Sequence, residues 1–156
     1  MKLAEGLALR ADASRRIEQL RTRIVANARF QEGEEPAEDA RALLTEAGVA
    51  LDELEDLIRR INRTNAATRI GPEGTITDAL ARRDVLRARH SIVTAAADAA
   101  AGKSQAGMGR QLRSELKMLA ALPVAELRSQ ADDLARQVRE LDVRIQQSNW
   151  EFDLME

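Results

Sequence analysis

Three observations predict an all-α fold. Apolar residues recur at steps of three and four through four long segments. Prolines stand only at Pro36, Pro72 and Pro123, each between those segments. Aromatic residues make up 2% of a chain that is 44% hydrophobic, so leucine, isoleucine, valine and alanine must build the core. The expected architecture is an elongated antiparallel bundle of long, coiled-coil-like helices forming a single domain over residues 1–156. Its helices are expected at about 2–30, 37–69, 77–101 and 124–149, with a short β-hairpin or an extended segment left open for the connectors.

The first helix rests on Leu3, Leu7, Ala11, Ser14, Ile17, Leu20, Ile24 and Ala28, which share one face. It ends in the acidic, breaker-rich stretch from Gln31 to Pro36. Pro36 suits the first turn of the second helix, where Glu35, Glu38 and Asp39 complement the positive end of the helix dipole. Leu44, Ala47, Leu51, Leu54, Ile58, Ile61, Asn65 and Thr68 then step by three and four. Leu43, Ala50, Leu57 and Thr64 make a second line beside it, so this helix is expected to pack against two neighbours. The run from Ile70 to Thr75, with Gly71, Pro72 and Gly74, closes it as a tight turn or a short hairpin.

Thr75 and Thr77 are both fair N-caps for the third helix, whose apolar face is read as Ala81, Val85, Ala88, Ile92, Ala96 and Ala99. Leu86 and Val93 lie further round it, and His90 lies nearly opposite. Gly102, Gly107 and Gly109 mark an irregular connector, and residues 110–123 fit either a short helix or an extended run. The fourth helix has the clearest period: Val124, Leu127, Ala131, Leu134, Val138, Leu141, Ile145, Ser148 and Phe152. A 3.5-residue repeat keeps one seam facing a partner, in this chain or in a second copy. Leu127, Leu134, Val138, Leu141 and Ile145 are its packing or oligomer contacts.

A helix of about 29 residues is about 43 Å long, whereas a compact chain of this length has a radius of gyration of about 15 Å. Helices so long leave a thin core, and homo-oligomerisation is the expected remedy.

Composition removes several function classes. There is no cysteine, hence no disulfide, thiolate metal site or cysteine nucleophile, and a Ser-His-Asp triad would have to use His90. The acidic turn at Glu32, Glu34, Glu35, Glu38 and Asp39 lacks the ligand spacing of an EF-hand loop, so no metal and no cofactor is expected. With 24 basic and 26 acidic residues and so few aromatics, no general nucleic-acid surface is expected, despite the cluster Arg82, Arg83, Arg87 and Arg89. Charges at Glu5 and Arg10 break any secretory signal, and no apolar run approaches the length of a membrane span, so the expected compartment is the cytoplasm. Trp150 and Phe152 are expected to close a core or an interface.

Polar residues interrupt the apolar lines where the second helix ends. Asn62, Asn65 and Arg69 share a face by spacing, and an antiparallel third helix would bring Arg83 and Asp84 to meet it. Such a layer either fixes helix register or binds a small ligand, with Asp84 as acid/base or orienting group and the arginines holding an anion.

Several blocks together resemble a family of short bacterial helical proteins labelled septicolysin-like. They are Met1 to Glu5, Asn27 to Pro36, Ile61 to Asn65, Thr77 to Asp84, and Gln130 to Leu134 followed by Ser148 to Trp150. The resemblance spans nearly the whole chain and implies a pore-forming or haemolytic role, with no catalytic residues to carry over. Against that role the segments carry charges at nearly every turn, where a pore former needs a long apolar face for lipid. The leading expectation is therefore a self-associating, non-enzymatic helical module. A small-ligand binder or enzyme using the polar layer is the alternative.

Overall fold

A computed structural model describes residues 1–103 and 116–156. The protein is all-α: α1 (Leu3–Asn27), α2 (Ala40–Ala67), α3 (Ile76–Ala100) and α4 (Val124–Glu151), with one 3-10 turn at Gly71–Glu73. Among the described residues, backbone pairing outside the helices is confined to isolated bridges, such as Lys2 with Asp153. Within the connector after α3, residues 104–115 lie outside the described residues, including most of the stretch read as short helix or extended. Residues 116–123 form no helix. The chain makes two compact units, Met1–Arg69 with Gln146–Glu156, and Ile70–Ile145.

In the first unit α1 and α2 pack antiparallel, with Leu20, Leu43 and Ala50 as buried core and Ile17, Ile24 and Ala47 against them. Arg16 pairs with Glu46 at 3.0 Å, and Arg23 grips Glu38 with both Nε and a terminal nitrogen. The expected face of α1 shifts near its middle: Ala11 and Ser14 are exposed and Ala13 turns inward. The N-cap of α2 is Asp39, whose carboxylate accepts from the backbone N–H groups of Arg41 (2.9 Å) and Ala42 (3.3 Å). Pro36 therefore precedes the helix rather than opening it, because the Asp side chain satisfies two orphan donors that proline cannot. Asn27 links the two helix ends, donating to the Arg23 carbonyl (2.8 Å) and accepting from the Glu38 N–H (3.0 Å).

The C-terminal residues complete this unit. The Leu3 N–H donates to the Phe152 carbonyl at 3.0 Å, and the Leu154 N–H to the Met1 carbonyl at 2.9 Å. Leu154 is buried against Gly6, where an added Cβ would lie 2.9 Å from a Leu154 methyl. Thr64, fully buried on α2, accepts from the Met155 N–H at 2.9 Å and donates to the Arg60 carbonyl at 2.8 Å. Arg60 Nε in turn reaches the Met155 carbonyl at 3.0 Å. Trp150, expected to close a core or an interface, is exposed. Phe152 is half-buried, and Leu154 supplies the buried anchor.

In the second unit the Ile70 N–H bonds the Gly74 carbonyl at 2.7 Å, so the tight turn forms rather than a hairpin. Gly74 has φ +102°, and a Cβ there would meet Asp78 Oδ2 at 2.5 Å. That carboxylate is committed to a capping box with Thr75, the N-cap of α3: the Thr75 N–H donates to it at 2.9 Å, while the Asp78 N–H donates to Thr75 Oγ1 at 3.2 Å. Glycine is needed here for backbone angle and for space together. Antiparallel α3 and α4 are joined by Arg87–Asp142 at 2.8 Å, Arg83–Asp142 at 3.6 Å and Arg128–Asp98 at 2.6 Å.

The buried line of α3 is Ile76, Ala79, Leu86, Val93 and Ala97. Arg83 and His90 sit half-buried in the same register. The face read from the sequence is the outer one: Ala81, Val85, Ala88, Ile92 and Ala99 are exposed. Both lines have helical spacing. The bulk of Ile76, Leu86 and Val93 decides which faces inward, since the long Arg83 stem can lie along apolar surface with its head outward. On α4, Ala131, Leu134, Leu141 and Ile145 are buried by this chain itself, and Leu127 and Val138 are half-buried.

Candidate interaction surface

The five residues read as a polar layer divide between the two units. Asn62, Asn65 and Arg69 belong to the first, where Asn65 is half-buried and the other two are exposed. Arg83 and Asp84 belong to the second and bond each other at 3.2 Å, with Arg83 also reaching Asp142. Arg83 is thus engaged by two carboxylates, of which Asp142 ties α3 to α4. Neither of the two grooves described below is lined by any of the five residues.

The first groove runs between α1 and α2 and has a volume of about 630 Å³. Leu9, Ala13, Ala50 and Leu57 give it an apolar floor. Asp12, Asp52, Glu53 and Asp56 rim it, against the single cation Arg16. Three of these carboxylates have local partners: Asp12 pairs with Arg15, Glu53 lies 3.9 Å from Arg16, and Asp56 lies 3.7 Å from Arg60. All three remain well exposed, so these pairs leave the rim electronegative.

The second groove, about 620 Å³, lies between α3 and α4. Ala81, Val85, Leu86 and Leu134 form its apolar part, with Arg82 and Arg89 on one side and Gln130, Asp133 and Gln137 on the other. Nearby, Glu73 is held by two bonds from Arg144, at 2.7 and 2.5 Å. Burial pushes the Glu73 carboxyl up, but the Arg144 bonds, its own backbone and the charges of Arg144 and Arg82 outweigh it and hold the group below the usual carboxylate range. The same direction holds for Glu38, through its hydrogen bond with Arg23, and for Asp153, through its hydrogen bond with Lys2.

The helices also leave apolar residues in the open at heptad spacing. On α2 these are Leu44 (58% exposed), Leu51 (51%) and Ile58 (38%); on α3 they are Val85 (58%) and Ile92 (69%). The α2 stripe is made of alternate members of the first of the two lines read from the sequence, whose Ala47 and Ile61 turn inward. Its neighbouring line, with Leu43, Ala50 and Thr64, is the one the chain buries. Sequence reading assigned both lines a partner and could not tell which would lack one. Among the described residues no group of three or more His, Asp or Glu side chains is placed to hold a metal ion. Nor is any described helix long and apolar enough to cross a membrane.

Comparison with known proteins bears on identity. A solved structure, a functionally unknown conserved protein from Corynebacterium diphtheriae, is similar over 99% of both chains, with 39% identity and a TM-score of 0.86. No curated protein matches the chain. The family of unknown function DUF6847 matches residues 10–154. That match overturns the septicolysin-like resemblance, which rested on short blocks of similar wording and was the ground for the disfavoured pore-forming alternative. The chain belongs to DUF6847, a family of unknown function.

Proposed function

We propose that the protein is a self-associating helical module whose exposed heptad stripes meet a second copy of the chain. The observation that supports this reading is the register of the exposed residues. Leu44, Leu51 and Ile58 stand seven residues apart on α2, as do Val85 and Ile92 on α3, whereas scattered surface leucines would show no such order. Covering a half-exposed leucine or isoleucine returns about 1 kcal/mol, so two such stripes supply several kcal/mol toward association. The ordered charge around the grooves favours a specific partner over indiscriminate collapse. Light scattering on the eluting peak at roughly tens of micromolar is the test, comparing wild type with the paired variants Leu51→Glu and Ile92→Glu. An oligomer in the wild type that either glutamate disrupts, with helicity retained, supports the reading. A wild-type monomer refutes it.

A further inference from the structure

The acidic groove of α1 and α2 and the outer face of α3 are complementary in charge and length. The groove has an apolar floor, a rim of four carboxylates and one guanidinium. On α3, exposed Val85 and Ile92 stand on an alanine background as a ridge that borders the α3/α4 groove, with Arg82 and Arg89 along its groove edge. Alanine at 81, 88 and 99 keeps the ridge low enough for another helix pair to approach closely. Arg82 and Arg89 are seven residues apart, about 10 Å along a helix, and the α2 side of the groove spans the same distance from Ala50 to Leu57, with Asp52 and Asp56 between them. Pairing α3 with α3 of another copy would instead set arginine against arginine.

We propose that the α1/α2 groove of one molecule receives the α3 ridge of a second copy of this chain, with Arg82 and Arg89 of the incoming ridge set over the Asp52 and Asp56 side of the rim. This rests on the self-association proposed above and names the surface that the α3 stripe meets; the α2 stripe of Leu44, Leu51 and Ile58 lies outside this groove. Val85 and Ile92 enter against Leu9 and Leu57, and the guanidinium–carboxylate pairs set orientation and partner choice. Association of this kind weakens as salt screens the rim.

Charge reversal with rescue tests it. Sedimentation velocity on the full chain compares wild type, the double variant Arg82→Glu/Arg89→Glu, the double variant Asp52→Arg/Asp56→Arg, and an equimolar mixture of the two variants. Circular dichroism confirms that each variant keeps its helices. Each variant alone is expected to associate about tenfold or more weakly than wild type, and the mixture to recover association, since the reversed ridge then meets the reversed groove. A wild type that associates while Arg82→Glu/Arg89→Glu leaves its affinity unchanged overturns this pairing and spares self-association. The same holds for a mixture that fails to recover. A wild type that stays monomeric overturns both.

Discussion

Substituting Thr64 with valine isolates the bond that fastens the C-terminal residues to α2. The side chain is fully buried, and its hydroxyl accepts from the Met155 N–H at 2.9 Å while donating to the Arg60 carbonyl at 2.8 Å. Valine keeps the shape but offers no acceptor, leaving the Met155 donor of a part-buried hydrogen bond unmatched. A donor in that position costs about 1–2 kcal/mol. For a chain of this size each kcal/mol moves the melting temperature by about 2–4 °C, so Thr64→Val should melt about 2–8 °C lower. Thr64→Ser keeps the oxygen and removes a methyl, also costing about 1 kcal/mol. Melting alone therefore does not separate the two, but amide exchange does. The Met155 amide should exchange faster in Thr64→Val and keep its protection in Thr64→Ser. A valine variant that melts within about 1 °C of wild type, with Met155 protection unchanged, would refute the reasoning.

Three further outcomes follow from the same packing. Leu20→Ala empties the centre of the α1/α2 core, where Leu20 is 1% exposed, and should cost about 2–5 kcal/mol in denaturant unfolding. Asp39→Ala removes the two-bond cap of α2 and should cost about 1 kcal/mol, while Asp39→Asn retains most of that stability. Acid should destabilise the fold through Glu38, Glu73 and Asp153, whose folded carboxyls are held below their ordinary values of 4.5, 4.5 and 3.8. These groups bind fewer protons folded than unfolded, so their contribution is complete above about pH 5 and fades as pH falls through the depressed folded values. Chemical unfolding across that range should show the loss, and Glu73→Gln should flatten part of it.

The fold class was legible in the sequence because period and punctuation agreed. Leu134, Leu141 and Ile145 are buried on the line their spacing marked, and Thr75 caps α3 as one of two suitable threonines. What escaped was the choice between rival lines on one helix. Ala81, Val85, Ala88 and Ile92 form a cleaner apolar stripe than the buried one, which is interrupted by Arg83 and His90. Spacing counts residues, whereas burial weighs volume, and Ile76, Leu86 and Val93 outweigh alanines. The start of α2 was misread for a related reason. Pro36 advertises a first turn, but a side-chain acceptor three residues on closes the cap. Leu154 belonged to no helical period, since its burial depends on backbone pairing between residues far apart in sequence. The polar residues at 62, 65, 69, 83 and 84 were grouped by projecting one helix onto the next. Arg83 bonds Asp84 and also reaches Asp142, a partner that the projection did not include. The acidic groove was not read from the sequence at all. Its carboxylates come from two helices, and only an antiparallel register brings Asp12 beside Asp56.

Sedimentation equilibrium on the wild-type chain, from low to high micromolar concentration, tests self-association most directly. The weight-average mass should climb with concentration from the 17.2 kDa of one chain toward a whole multiple of it. A mass that stays at 17.2 kDa over the whole range would contradict the account.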